Sequence, residues 1–148
     1  MKKFTVIVLI ILGIAVFYGF TKVSYHAKEY TDEANELRIK TGSPNIILVD
    51  FTRASCADRL FIFKNGKPVY SGVVLHGNGR GNTPGKPVFS NELGSNCSSL
   101  GLFKVIGTKT MRNGYPCLIL EGLSPTNSNA KARGILIHPS VMASLLPV

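Results

Sequence analysis

The chain has 148 residues, enough for one domain with a modest core and too few for two. Its 17 basic against 8 acidic residues give a net charge of +9, which raises nucleic acid, an anionic membrane or an anionic wall polymer as partners. The basic residues are scattered and form no run interleaved with aromatics, which argues against nucleic acid, and three widely spaced cysteines with three histidines make a poor metal set.

In chain order, Lys2 and Lys3 precede an uncharged apolar run from Phe4 to Phe20. Such a run reads as an apolar helix at the short limit for a membrane span of about 20 residues. No small-x-small cleavage pattern follows it, so an uncleaved signal anchor over residues 1–20 is expected, with the remainder extracytoplasmic. Residues 21–44 interleave Tyr30, Ala34, Leu37 and Ile39 with charged residues and close on Gly42 and Pro44. They predict a short solvated helix that spaces the domain from the bilayer or covers one of its edges.

From Asn45 onward the pattern changes to strands: Ile46 to Phe51, Arg59 to Lys64, and Pro68 to Leu75. Asn65-Gly66 between the last two predicts a type I′ hairpin. Further strands are expected over Leu102 to Thr108, Cys117 to Leu120 and Gly134 to His138, with Asn113-Gly114 as a second hairpin turn. Residues 45–148 therefore predict a mostly β domain, an antiparallel, hairpin-built and barrel-like sheet.

Several segments could carry chemistry. The Gly-rich stretch from Gly77 to Lys86 fails as a phosphate loop, because Pro87 stands where a Ser or Thr and a helix should follow; it reads as a surface loop. His76 and His138 both close predicted strands, where sites are commonly built, and a histidine can serve as a base near neutral pH. The segment from Phe89 to Gly101 is dense in Ser and Asn and holds Cys97. It can line a polar cleft, or be a loop capped by its own side chains. An odd number of cysteines leaves at least one outside any intramolecular disulfide.

Taken together, Asp50-Phe51-Thr52 with Arg59-Leu60-Phe61, His76-Gly77, Phe89-Ser90-Asn91, Gly94-Ser95, Ser98-Ser99-Leu100-Gly101, Leu120-Glu121-Gly122-Leu123, Asn127, Asn129-Ala130, Arg133 and Ile137-His138-Pro139 resemble the murein L,D-transpeptidase catalytic-domain family, a relative of the YkuD-type transpeptidases. The resemblance runs from about Asn45 to the end. It implies a β-rich fold with a cofactor-free Cys–His site, in which a thiolate attacks a peptide carbonyl of a peptidoglycan stem peptide. The amine of a second stem peptide then resolves the thioester.

Carried over residue by residue, the resemblance makes His138 the base. It makes His76, Gly77, Ser90, Asn91, Ser95, Ser98, Ser99 and Arg133 the substrate-binding set. The family's Ser-x-Gly-Cys motif, which should follow the histidine, is missing: Ser140 to Val148 contain no cysteine, and apolar Val141 to Leu146 reads as the start of a helix or strand. The sequence therefore predicts a truncated or degenerate transpeptidase. Cys97 is a candidate substitute nucleophile, with His76 or His138 as its base, and a non-catalytic, membrane-anchored cell-wall-binding module is the alternative.

Overall fold

A computed structural model describes residues 5–9, 25–83 and 85–140, the first of these as backbone only. Its strands are β1 (Thr5–Leu9), β2 (Asn45–Val49), β3 (Leu60–Lys64), β4 (Lys67–Gly72), β5 (Leu102–Thr110), β6 (Pro116–Gly122) and β7 (Leu136–Ile137). β2, β3 and β4 form one antiparallel meander, and β5, β6 and β7 form another. β1 lies between them, antiparallel to β2 (Ile7 opposite Ile47) and parallel to β5 (Ile7 opposite Phe103). The order is β4-β3-β2-β1-β5-β6-β7.

Both hairpin turns follow from their glycines. Asn65 (φ 51°) and Gly66 (φ 77°) occupy the left-handed region in succession, as a type I′ turn requires. At the β5–β6 turn, Gly114 N–H donates to Met111 O and Met111 N–H donates to Tyr115 O, with Gly114 at φ 83°. That is a three-residue loop closed by a left-handed glycine.

β2 is apolar along its length because both of its faces are covered. Ile46 and Leu48 pack with Phe61 and Phe63 beneath Ala27, Tyr30 and Ala34. Ile47 and Val49 face the other way, onto Leu60, Phe103, Val105, Leu120 and Ala130. The first cover comes from a 3₁₀ turn, Tyr25–Tyr30, running into α1 (Thr31–Thr41), which ends on left-handed Gly42. Tyr30 ties this cover down twice: its ring stacks on Phe61 at 4.5 Å, and its hydroxyl donates to Asp50 Oδ2 at 2.6 Å. Asp50 also accepts from the backbone N–H and hydroxyl of Thr52. Burial pushes the Asp50 carboxyl up, but the hydrogen bonds from Thr52 and Tyr30 and the charge of Arg53 outweigh it and hold the group below the usual range. The Tyr30 phenol moves the opposite way, raised by burial and then by the Asp50 carboxylate.

Three expectations change. Thr5–Leu9, expected within an apolar helix, is a strand; Thr5, Val6, Ile7 and Val8 make a β-branched run suited to a central position. Among the described residues no helix is long and apolar enough to cross a membrane. The rest of the expected anchor, and the apolar stretch from 141 to 146, lie outside the described residues. The sheet closes into no barrel: β4 and β7 remain its edges. The strand expected to reach Leu75 stops at Gly72, because the chain then leaves the ladder to form one wall of a cleft.

If β1 holds the two meanders together, Ile7→Pro removes a central ladder donor and should destabilise the fold by roughly 3 kcal/mol, read as a lower midpoint in thermal unfolding. Asp50 makes a separate, pH-dependent contribution. Its folded-state pKa is depressed, so its stabilisation is complete above the ordinary carboxylate value of about 3.9 and is lost as pH falls through the lower folded value. Asp50→Asn should cost about 2 kcal/mol at neutral pH and flatten the acid limb of the stability profile.

Candidate active site

The wall that carries His76 is set by a buried arginine. Arg59 is 1% exposed, and its Nε donates to Val74 O at 2.8 Å, which fixes the path of the chain just before His76. Its guanidinium lies 5.0 Å over the Phe51 ring, and Nη1 reaches Arg53 O at 3.4 Å. Phe51 in turn meets the His76 ring edge-on at 6.5 Å and Phe89 at 5.3 Å. Burial lowers the Arg59 pKa, opposed by the nearby Asp50 and Cys56. Arg59 Nη2 is the one buried side-chain polar atom with no partner among the described residues.

After His76 the chain runs against residues 95–98 so closely that only glycine fits. A Cβ on Gly77 would collide with Asn96 O, and one on Gly79 would collide with Ser95 O and Cys97 Sγ. Gly77 N–H donates to Ser98 Oγ, and Gly79 N–H to Asn96 O. The glycines that looked like a surface loop serve close backbone approach here.

The opposing loop is held by Arg133. Nη1 donates to Ser90 O (2.6 Å) and Ser99 Oγ (2.5 Å), and Nη2 to Ser95 Oγ (2.9 Å) and Cys97 O (2.5 Å). A planar guanidinium meets four acceptors drawn from residues 90 to 99, which a lysine ammonium cannot do. Asn91 performs the same service further out: Oδ1 accepts from Asn129 N–H, and Nδ2 donates to Pro125 O and Ser128 Oγ. Ser90 Oγ caps Glu92 N–H, and Ser99 Oγ also donates to Ser90 O. Ser90 and Ser99 thus bond within the loop, while Asn91, Ser95 and Ser98 tie it to neighbouring segments.

Between these walls lies a cleft of about 1040 Å³. His76, Gly77, Cys97, Ser98, Arg133 and His138 all line it, although they come from three separate parts of the chain. Ser90, Asn91, Ser95 and Ser99 do not line it; they stand behind it as loop supports. His138 is exposed, directly after β7, while His76 is half-buried beyond the end of β4. Nδ1 of His76 lies 2.9 Å from Gly77 O, and Nδ1 of His138 lies 2.9 Å from Pro139 O. A carbonyl only accepts, so each neutral ring carries its hydrogen on Nδ1 and leaves the Nε2 lone pair to take a proton.

The three thiols are all free. Cys97 is the one that lines the cleft, but it is 5% exposed, and its sulfur accepts from Asn82 Nδ2 at 3.4 Å. Among the described residues no imidazole hydrogen-bonds to it. Cys117 donates to Lys109 O on the sheet. Among the described residues no three His, Cys, Asp or Glu side chains converge as metal ligands.

A family model described as the L,D-transpeptidase catalytic domain matches residues 19–145. The chain belongs to that family. No curated protein and no solved structure matches it. As an L,D-transpeptidase-like domain, the chain uses much of its motif density for architecture. The His-Gly-x-Gly turn, the Ser-rich block and Arg133 interlock so that two histidines share one cleft. Asp58, Tyr70, Ser71 and Met111 also line the cleft although no sequence motif marks them, and nothing in the motif pattern gives Arg59 a role. Arg59 left only a weak trace: an arginine opening an apolar run.

Arg133→Lys should cost about 2 kcal/mol, because one ammonium cannot span the four acceptors. The amides of Gly77 and Gly79 report the loop directly: their hydrogen exchange should accelerate about tenfold or more, while amides of β2 and β3 stay as protected as before.

Proposed function

We propose that the cleft binds peptidoglycan stem peptides and that this chain's three thiols do not form the acyl-enzyme. The observation that supports the reading is the gathering of His76, Ser98, Arg133 and His138 around one cleft in a chain of this family. An extended peptide would run along residues 73–75, which have left the β4 ladder to form one wall of the cleft, and would find apolar contacts at Leu60, Ile135 and Ile137. His138, with its Nε2 lone pair, is the proton acceptor this site offers, and His76 is the second imidazole.

Covalent catalysis needs a thiolate paired with a base. Cys97 is buried and partnered by Asn82. It would have to leave that contact to meet an imidazole. The reading is therefore a binding domain of transpeptidase type. Stem peptides lie outside the cytoplasmic membrane, so the reading also requires an extracytoplasmic location.

Purified sacculi should retain the protein at low salt and release it as salt screens its positive charge. Failure to retain it at low salt sinks the binding reading. Intact-mass measurement after incubation with a stem tetrapeptide should show the unmodified chain. An acyl adduct lost in Cys97→Ser would instead make Cys97 the nucleophile.

A further inference from the structure

The loop between β2 and β3 carries an exposed thiol above a buried cation. Arg53 Nε donates to Asp58 O at 2.8 Å and Ala57 N–H donates to Ala54 O at 3.0 Å, so residues 53–58 close on themselves with Cys56 in the turn. Cys56 is exposed and free, whereas Cys97 and Cys117 are buried. Those two have hydrogen-bond partners in Asn82 and Lys109 O, and Cys56 has none among the described residues. Arg59, 1% exposed, reaches back to the start of this loop through Nη1 and Arg53 O. Its Nε is taken by Val74 O, and its Nη2 meets no acceptor among the described residues. Two acidic groups stand near enough for their charge to act on this guanidinium, Asp50 and Cys56. Asp50 is already engaged, because Oδ1 accepts from the Thr52 N–H and hydroxyl and Oδ2 from the Tyr30 hydroxyl. Cys56 is the neighbour whose polar atom is still uncommitted.

A buried guanidinium N–H without an acceptor is destabilising, and an anionic oxygen within reach relieves it. A thiol sulfur is a poor acceptor, whereas its oxidation products carry such oxygens. We propose that Cys56 is a site of modification by hydrogen peroxide and that Arg59 is the cation that receives the oxygen it gains. In the first step the Cys56 sulfur attacks one peroxide oxygen. An S–O bond forms, the O–O bond breaks, and the departing hydroxide takes the thiol proton and leaves as water. Sulfur loses two electrons and the peroxide gains them, which gives the sulfenic acid. A second peroxide repeats the step and gives the sulfinic acid, an anion at neutral pH. The same guanidinium fixes Val74 O, so the oxidised loop and the His76 wall of the cleft share one cation. The modification is independent of what the cleft binds.

The test treats the full chain with hydrogen peroxide at neutral pH until peptide mapping shows Cys56 as the sulfinate, with Cys97 and Cys117 still reduced. Cys56→Ser, at an exposed position, is treated identically and controls for oxidation elsewhere. The thermal midpoint of the Cys56 sulfinate should rise by about 5 °C over the untreated chain, as one charge-assisted hydrogen bond supplies in a domain of this size. The Ala57 amide, in the turn that carries Cys56, should exchange about tenfold more slowly. Treated Cys56→Ser should show neither change. The rise should persist at about 1 M salt, because a pair made by a buried donor is screened little, whereas a long-range effect of reduced positive charge would vanish there. A midpoint that stays or falls in the sulfinate, or a rise that salt abolishes, overturns the role of Arg59. Oxidation that falls first on Cys97 or Cys117, or recovery of the treated chain as a disulfide-linked dimer through Cys56, overturns the modification site.

Discussion

A single guanidinium, that of Arg133, holds the part of the structure on which the cleft depends. The loop from Ser90 to Ser99 has almost no ladder of its own, so its carbonyls and hydroxyls need partners from elsewhere. Arg133 satisfies four of them from one rigid plane. With the loop in place, Ser98 Oγ and Asn96 O can receive the amides of Gly77 and Gly79, which brings His76 to the cleft. The chain that follows Arg133 reaches β7 and then His138. One residue therefore braces the loop and closely precedes the second histidine.

The other wall depends on a different arginine. Among the described residues Arg59 is buried without a direct ion pair, a costly position unless its donors and its flat face are used. Val74 O and the Phe51 ring use them, and both contacts bear on the segment that carries His76. The two arginines thus act from opposite sides on one short stretch of backbone. Both work through the protein.

The hairpins are legible in the sequence, because a left-handed Asn-Gly pair is a local requirement. Asn65-Gly66 adopts the expected turn, and Asn113-Gly114 closes β5 on β6. The apolar run at the N-terminus is not legible in the same way. A short, β-branched, uncharged segment satisfies the hydropathy of a membrane helix and of a central strand alike, and pattern alone does not separate them. Its Thr5–Leu9 portion pairs on both sides. The site is half legible. Histidines at the ends of strands announce themselves, and the family pattern adds Arg133 and the Ser-rich block. Whether a serine hydroxyl faces the cleft or its own loop depends on which backbone groups come near it, and neighbouring residues in sequence do not record that.

By itself, the sequence determined the β-rich character, the two hairpins, the family and the pair of histidines, since these rest on local turn chemistry, side-chain alternation and motif order. The tertiary structure decided what each motif residue does. It assigned Ser90, Asn91, Ser95 and Ser99 to loop support, left His76, Ser98 and His138 at the cleft, and set Cys97 against Asn82. It also brought Asp58 to the cleft from a position that no motif marked. The reason is geometric: hydrogen-bond partnership acts over about 3 Å in space, whereas the partners that shape this cleft lie far apart along the chain.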